Sequence, residues 1–154
     1  MPMSRFLVLF LAVLSWSACQ SPSVQNVAMP DLEAVVEDPS LARIYFLRRP
    51  QFYGRARMLR TYENNQLRGR IAQGHYLCWE TSPGRKLISA VYERRVLDGG
   101  DVEGVLGLEC EAGKVYYCAV EEVAKNQGAP RLEALSASEG QAMLPEQKPA
   151  NVDR

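Results

Sequence analysis

Residues 111–120 read EAGKVYYCAV, and the reading of this stretch decides the fold. Gly113 precedes a run of β-formers from Val115 to Val120. Glycine tolerates the backbone angles of a tight turn, and valine and tyrosine favour a pleated strand, so a turn feeding a strand is predicted. Side chains alternate across a strand, which puts Tyr116, Cys118 and Val120 on one face. A tyrosine two residues before a cysteine on such a strand can turn its hydroxyl back onto the preceding loop. A chain that crosses between two sheets needs this, because its buried polar groups must be paired. The stretch therefore predicts a corner between two packed sheets.

Working outward, the same signals recur. Ala42–Leu47 is rich in β-formers. Met58–Tyr62 and Leu67–Ala72 flank Glu63-Asn64-Asn65-Gln66, whose two asparagines suit the positive φ angles of a two-residue hairpin turn. Gly74 precedes a strand at Tyr76–Glu80, and Ser82-Pro83-Gly84 leads into Lys86–Glu93, with Ile88, Ala90 and Tyr92 on one face. Asp98-Gly99-Gly100-Asp101 breaks the chain before Val105–Cys110, where Leu106, Leu108 and Cys110 share a side. Residues 131–135 read as a further strand, and Ser136 as the cap of a short helical turn through Leu144, weakened by Gly140. Seven or eight short strands without a long helical period predict an all-β sandwich of about seven strands over 41–144. Residues 145–154 are polar and are expected to form a disordered tail.

The chain has 154 residues, 47% of them hydrophobic, and a formal net charge of +0, so nothing draws it globally to nucleic acid. The charge is uneven. Eight arginines between 43 and 70 face one acid, Glu63. Arg48, Arg49, Phe52, Tyr53, Arg55 and Arg57 make the candidate ligand surface, because guanidinium groups bind carboxylate or phosphate in a bidentate manner and aromatic rings stack on glycans. Core filling and solvated strand faces are the competing reading of the same residues.

The first nineteen residues, MPMSRFLVLFLAVLSWSAC, carry one positive charge at Arg5 and an apolar run from Phe6 to Leu14. The run is shorter than the ~20 residues that span a bilayer and fits the apolar region of a secretory signal. Ser17-Ala18-Cys19 resembles the lipobox of bacterial lipoproteins, with Trp16 in place of the usual aliphatic residue three before the cysteine. That resemblance implies a signal peptide at 1–18 and diacylglyceryl attachment at Cys19, with Gln20 favouring the outer membrane. The alternative is ordinary cleavage after Ser17, which would release a soluble secreted protein. Residues 19–40 hold Pro22, Pro30 and Pro39 and read as a lipidated cysteine and flexible tether with an r.m.s. span of about 25 Å. Asp31–Val36 could close a helical turn within it.

Three further cysteines remain. Cys110 and Cys118 fall on the inward phase of their strands, which makes them the candidate disulfide, the alternative being that Cys78, Cys110 and Cys118 are all buried thiols. A single histidine and the lack of any Cys-x-x-Cys argue against a metal centre, and no cofactor motif is present. His75 and Cys78 are three apart on a strand and point to opposite faces, so the imidazole cannot activate that thiol.

EAGKVYYCAV also resembles the end of the third framework region of antibody variable domains. Those domains place the first cysteine well before a core tryptophan, whereas Cys78 and Trp79 are adjacent here and face opposite ways. A broader resemblance rests on ARIYFLRRPQFYG from Ala42, Gly69-Arg70-Ile71, Gly74-His75-Tyr76, Ser82-Pro83-Gly84-Arg85-Lys86, Glu111–Tyr117 and Ser138-Glu139-Gly140. In order and spacing these resemble the bacterial domain-of-unknown-function family numbered 2846, common in envelope lipoproteins, and are similar to PEGA-type surface modules. The resemblance implies an immunoglobulin-like or prealbumin-like sandwich behind a lipid anchor and brings no catalytic residues. The expected function is a non-catalytic cell-envelope module, anchored to the membrane, that binds or organises a protein or glycan partner. A soluble secreted enzyme or enzyme accessory with a loop-formed site is the alternative.

Overall fold

The computed structural model describes residues 36, 38–50, 58–93, 103–121 and 129–150. Within them run β1 (Ala42–Arg48), β2 (Leu59–Glu63), β3 (Gln66–Ile71), β4 (His75–Thr81), β5 (Gly84–Tyr92), β6 (Glu103–Cys110), β7 (Val115–Glu121), β8 (Arg131–Leu135), α1 (Ala137–Met143) and a two-residue β9 (Lys148–Pro149). The strands form two packed sheets, ordered β8-β7-β1-β4-β9 and β3-β2-β5-β6, so the expected all-β sandwich is the fold. β1 pairs antiparallel with β4 and parallel with β7. Immunoglobulin sandwiches group their first, second, fourth and fifth strands in one sheet. Here the first strand sits with the fourth, seventh, eighth and ninth, which departs from that grouping.

Local chemistry sets the turns. Asn64 and Asn65 take φ of 47° and 66°, the left-handed pair that a two-residue hairpin needs between β2 and β3. The corner before β7 is built as its residues dictate. Gly113 has φ of 71°, and the Tyr116 hydroxyl accepts a 2.9 Å hydrogen bond from the Glu111 backbone N–H. This pairs a backbone donor at the point where the chain changes sheets.

Between the sheets lie Ala42, Ile44 and Phe46 of β1, Leu77 and Trp79 of β4, Ile88, Ala90 and Tyr92 of β5, Leu108 and Cys110 of β6, and Cys118 and Val120 of β7. The inward phases expected for β5, β6 and β7 are the observed ones. Fully burying a side chain such as Phe46 contributes about 1.5–3 kcal/mol. The five-stranded sheet is also buried on its outer side, where Tyr45, Leu47, Tyr76, Cys78, Tyr117 and Ala119 pack with Leu144 just beyond α1. β1 is consequently buried along its whole length.

Ser136 caps α1 in a reciprocal box with Glu139, as its position predicts. Gly140, unfavourable for a helix, is there for contact: a Cβ would lie 2.1 Å from the Tyr117 ring.

Two boundaries are corrected. The chain beyond 144 does not begin a disordered tail: Leu144–Glu146 form a 3-10 turn, β9 adds to the edge of β4, and Gln147 and Ala150 are buried. The Ala150 N–H donates to the Tyr76 carbonyl and the Lys148 N–H to the Gly74 carbonyl, so backbone pairing holds a polar sequence in place. At the other end, Val36 is buried and Asp38–Ser40 form a turn, so the expected tether gives up its last residues to the body. The helical turn expected at 31–36 lies outside the described residues apart from Val36, as do Cys19 and the rest of 1–35.

Candidate functional site

The expected ligand surface is only partly a surface. Arg48 is fully buried, a correction with a simple cause: it shares the inward phase of Ala42, Ile44 and Phe46. Its Nη1 donates to the Ile71 carbonyl at 3.0 Å, and its own carbonyl accepts from the Gly74 N–H. Arg48 therefore joins the ends of β1 and β3 and is closed to any ligand. Arg49, on the opposite phase, is 41% exposed and pairs with Glu133 of β8 at 3.1 Å. Phe52, Tyr53, Arg55 and Arg57 lie outside the described residues.

The cysteines occupy two layers. Cys110 and Cys118 reach the same core from opposite sheets, and Cys78 lies beneath the helix on the other side of the five-stranded sheet. All three are held as free thiols, without the bond expected between Cys110 and Cys118. Burial pushes the Cys78 thiol up to about 12, and burial likewise raises Cys110 and Cys118. The Cys118 thiol donates to the Tyr45 carbonyl at 3.5 Å. His75 has the inward phase of Leu77 and Trp79, opposite to Cys78, and its Nδ1 lies 2.7 Å from the Gln73 carbonyl. The imidazole and this thiol do not meet, as alternation requires.

The most concentrated polar chemistry is a cluster that sequence reasoning missed. Glu63 ends β2 on its inward phase and is 2% exposed. One carboxylate oxygen accepts from Trp79 Nε1 at 3.0 Å and is in contact with Arg68. The other accepts from the Thr81 hydroxyl at 2.5 Å and faces Lys86 Nζ at 3.9 Å. Lys86 in turn donates to Ser82 at 2.9 Å. A one-residue register shift between Thr61 and Tyr62 in the β2–β3 ladder lies beside Arg68 and lets it reach Glu63. With both oxygens occupied, Glu63 cannot ligate an ion without losing its partners. The available signal was an acid placed at the end of a strand whose inward phase it shares.

A second charged group lies on the outer phase of β1, shared with Tyr45 and Leu47. Arg43 is fully buried and donates to Glu80 at 2.9 Å, and it hydrogen-bonds the Tyr45 hydroxyl. Desolvation pushes that hydroxyl up to about 12. Tyr45 stacks on Tyr117 with ring centroids 5.3 Å apart. Among the described residues no three His, Cys, Asp or Glu groups converge to hold a metal ion, and no helix is long and apolar enough to cross a membrane.

No family model, curated protein or solved structure matches the chain significantly.

Proposed function

We propose that this chain is a bacterial envelope lipoprotein, anchored through Cys19, whose sandwich binds or organises other envelope components without catalysing a reaction. The observation that carries the reading is the cysteine at the foot of the Phe6–Leu14 apolar run, directly after Ser17-Ala18. More than one fatty chain on that residue would make anchoring stable, since each buried methylene contributes about 0.8 kcal/mol.

The body supports the non-catalytic half of the reading. Its acids Glu63 and Glu80 are spent on Trp79, Thr81, Arg68 and Arg43. Burial raises the Cys78 thiol well above its ordinary value, which disfavours the thiolate that nucleophilic work needs.

Strand direction gives the proposed module two distinct ends. β1 begins at Ala42, beside Thr81 of β4 and Val115 of β7, and the Asn64-Asn65, Ser82-Pro83 and Ala112-Gly113 turns lie at that same end. Arg49 and the strand ends that flank 51–57, 94–102 and 122–128 lie at the other, about 20 Å away along β1. An anchor at Cys19 would hold the first end toward the membrane and leave the other end to a protein or glycan partner carrying carboxylates or phosphates. The resemblance to envelope families agrees with this.

Palmitate labelling, globomycin sensitivity and mass spectrometry of the mature amino terminus test the anchor. The expected result is a chain that starts at an acylated Cys19 and whose processing globomycin blocks. An unmodified Ala18 terminus, or normal release of a Cys19→Ala variant in soluble form, would replace this reading with the soluble secreted one.

A further inference from the structure

The last described residues pass from one layer of the molecule to another. Leu144 belongs to the outer layer of the five-stranded sheet, with Tyr76 and Tyr117. Ala150 belongs to the core between the sheets, with Leu77 and Trp79. Residues 145–149 therefore cross the edge of β4, on the side away from β1. They form a strap over that edge. Covering an edge in this way keeps its backbone groups from other chains.

The strap is lightly held. It pairs with β4 over two residues, Lys148 beside His75 and Pro149 beside Tyr76, whereas β1 and β4 pair over seven. The Lys148 N–H donates to the Gly74 carbonyl at 3.0 Å and the Ala150 N–H to the Tyr76 carbonyl at 2.8 Å. Pro149 has no N–H to add. Lys148 and Pro149 are exposed, so a single methyl, that of Ala150, is the grip of 148–150 on the core.

Gln147 works against closure. Its side chain is 6% exposed, and neither its amide nitrogen nor its amide oxygen is hydrogen-bonded to the protein. A buried primary amide without partners costs free energy that is recovered when the group returns to water. The chain just before it is a 3-10 turn, Leu144–Glu146, a form common in connectors.

We propose that residues 147–150 are a latch that opens while the sandwich stays folded, and that the buried Gln147 amide sets how often it opens. Closed, the latch covers the edge of β4. Open, it leaves the Gly74 and Tyr76 carbonyls without these donors and gives the Gln147 amide to water. β4 stays paired with β1, and the Gly74 N–H still donates to the Arg48 carbonyl, so the frame beneath the strap is held by other bonds. Segments with few apolar contacts open locally at a small fraction of the cost of global unfolding. The inference does not depend on the lipid anchor or on what the body binds.

The test is amide hydrogen exchange, read by NMR on the full-length protein in detergent micelles, with thermal melts as a folding control. The Lys148 and Ala150 amides are expected to exchange at least about a hundredfold faster than those of β1, at a rate that dilute urea leaves unchanged, since the opening exposes little surface. Gln147→Met keeps the length of the side chain and removes the unpaired amide, so it should slow both amides by about tenfold. Ala150→Arg should strip both of protection and leave the β1–β4 ladder protected, with a melt within about five degrees of wild type. Strap amides as slow as those of β1 overturn the proposal. So does a Gln147→Met protein whose strap exchanges at the wild-type rate or faster, and so does an Ala150→Arg protein that loses protection in β1 and β4.

Discussion

Replacing Glu63 with alanine removes the acceptor from four groups at once. Trp79 and Thr81, each under a tenth exposed, would be left with an N–H and an O–H facing the core. An unsatisfied buried donor costs about 1–3 kcal/mol. Lys86 and Arg68 would lose the carboxylate that compensates their desolvation, and Lys86 is as buried as the two neutral donors. Breaking a buried ionic group from one side costs about 3–5 kcal/mol. Domains of this size have total stabilities of about 5–15 kcal/mol, so Glu63→Ala should consume a third or more. Glu63→Gln keeps one oxygen but turns an amide N–H₂ toward two donors, and should cost about half as much. Equilibrium urea unfolding measures both, with an unchanged m-value certifying that the same transition is compared. A loss below about 1 kcal/mol for the alanine variant would show that the carboxylate does not anchor these donors, and that the cluster is incidental.

Two further outcomes separate packing from propensity and burial from exposure. Gly140→Ala raises intrinsic helix propensity by about 1 kcal/mol, yet the added methyl meets the Tyr117 ring; urea unfolding should show net destabilisation of about 1–2 kcal/mol, and a gain would mean that α1 does not rest on that ring. Cys78 has an ordinary pKa of 9.0 and about 12 when folded, so its proton is lost first by the unfolded chain; stability is full below pH 9 and falls by about 1.4 kcal/mol per unit as pH rises toward 12, a slope that unfolding midpoints should show reduced in Cys78→Ala.

Much of the sandwich could be read from local pattern. The EAGKVYYCAV corner, the Asn64-Asn65 turn and the inward phases of β5, β6 and β7 each depend on turn chemistry or two-residue alternation, which a single sequence displays. What escaped depends on tertiary contact. ARIYFLR is buried on both sides because a helix formed by residues some ninety positions later lies over it, and no local period encodes that cover. Arg48 looked like one of a row of surface arginines; alternation alone would have turned it inward with Phe46, but its basic composition was the louder signal. Glu63 was read as part of a turn, since its meaning comes from Trp79, Thr81 and Lys86 on two other strands. β9 was missed because Lys148-Pro149 has no β-forming character and is held by its neighbour's backbone.

The place of β1 bears on when the body can form. Its hydrogen-bonding neighbours are β4, which starts at residue 75, and β7, which ends at residue 121. β1, the first of the described strands to leave the ribosome, must therefore wait, unpaired on one side, until most of the chain has followed it. Closing so long a loop is entropically costly before any contact rewards it, and topologies of this sort fold in milliseconds to seconds rather than microseconds. During that interval the two sheets cannot close on one another, and the apolar phase of β1 stays open to water or to whatever protects it.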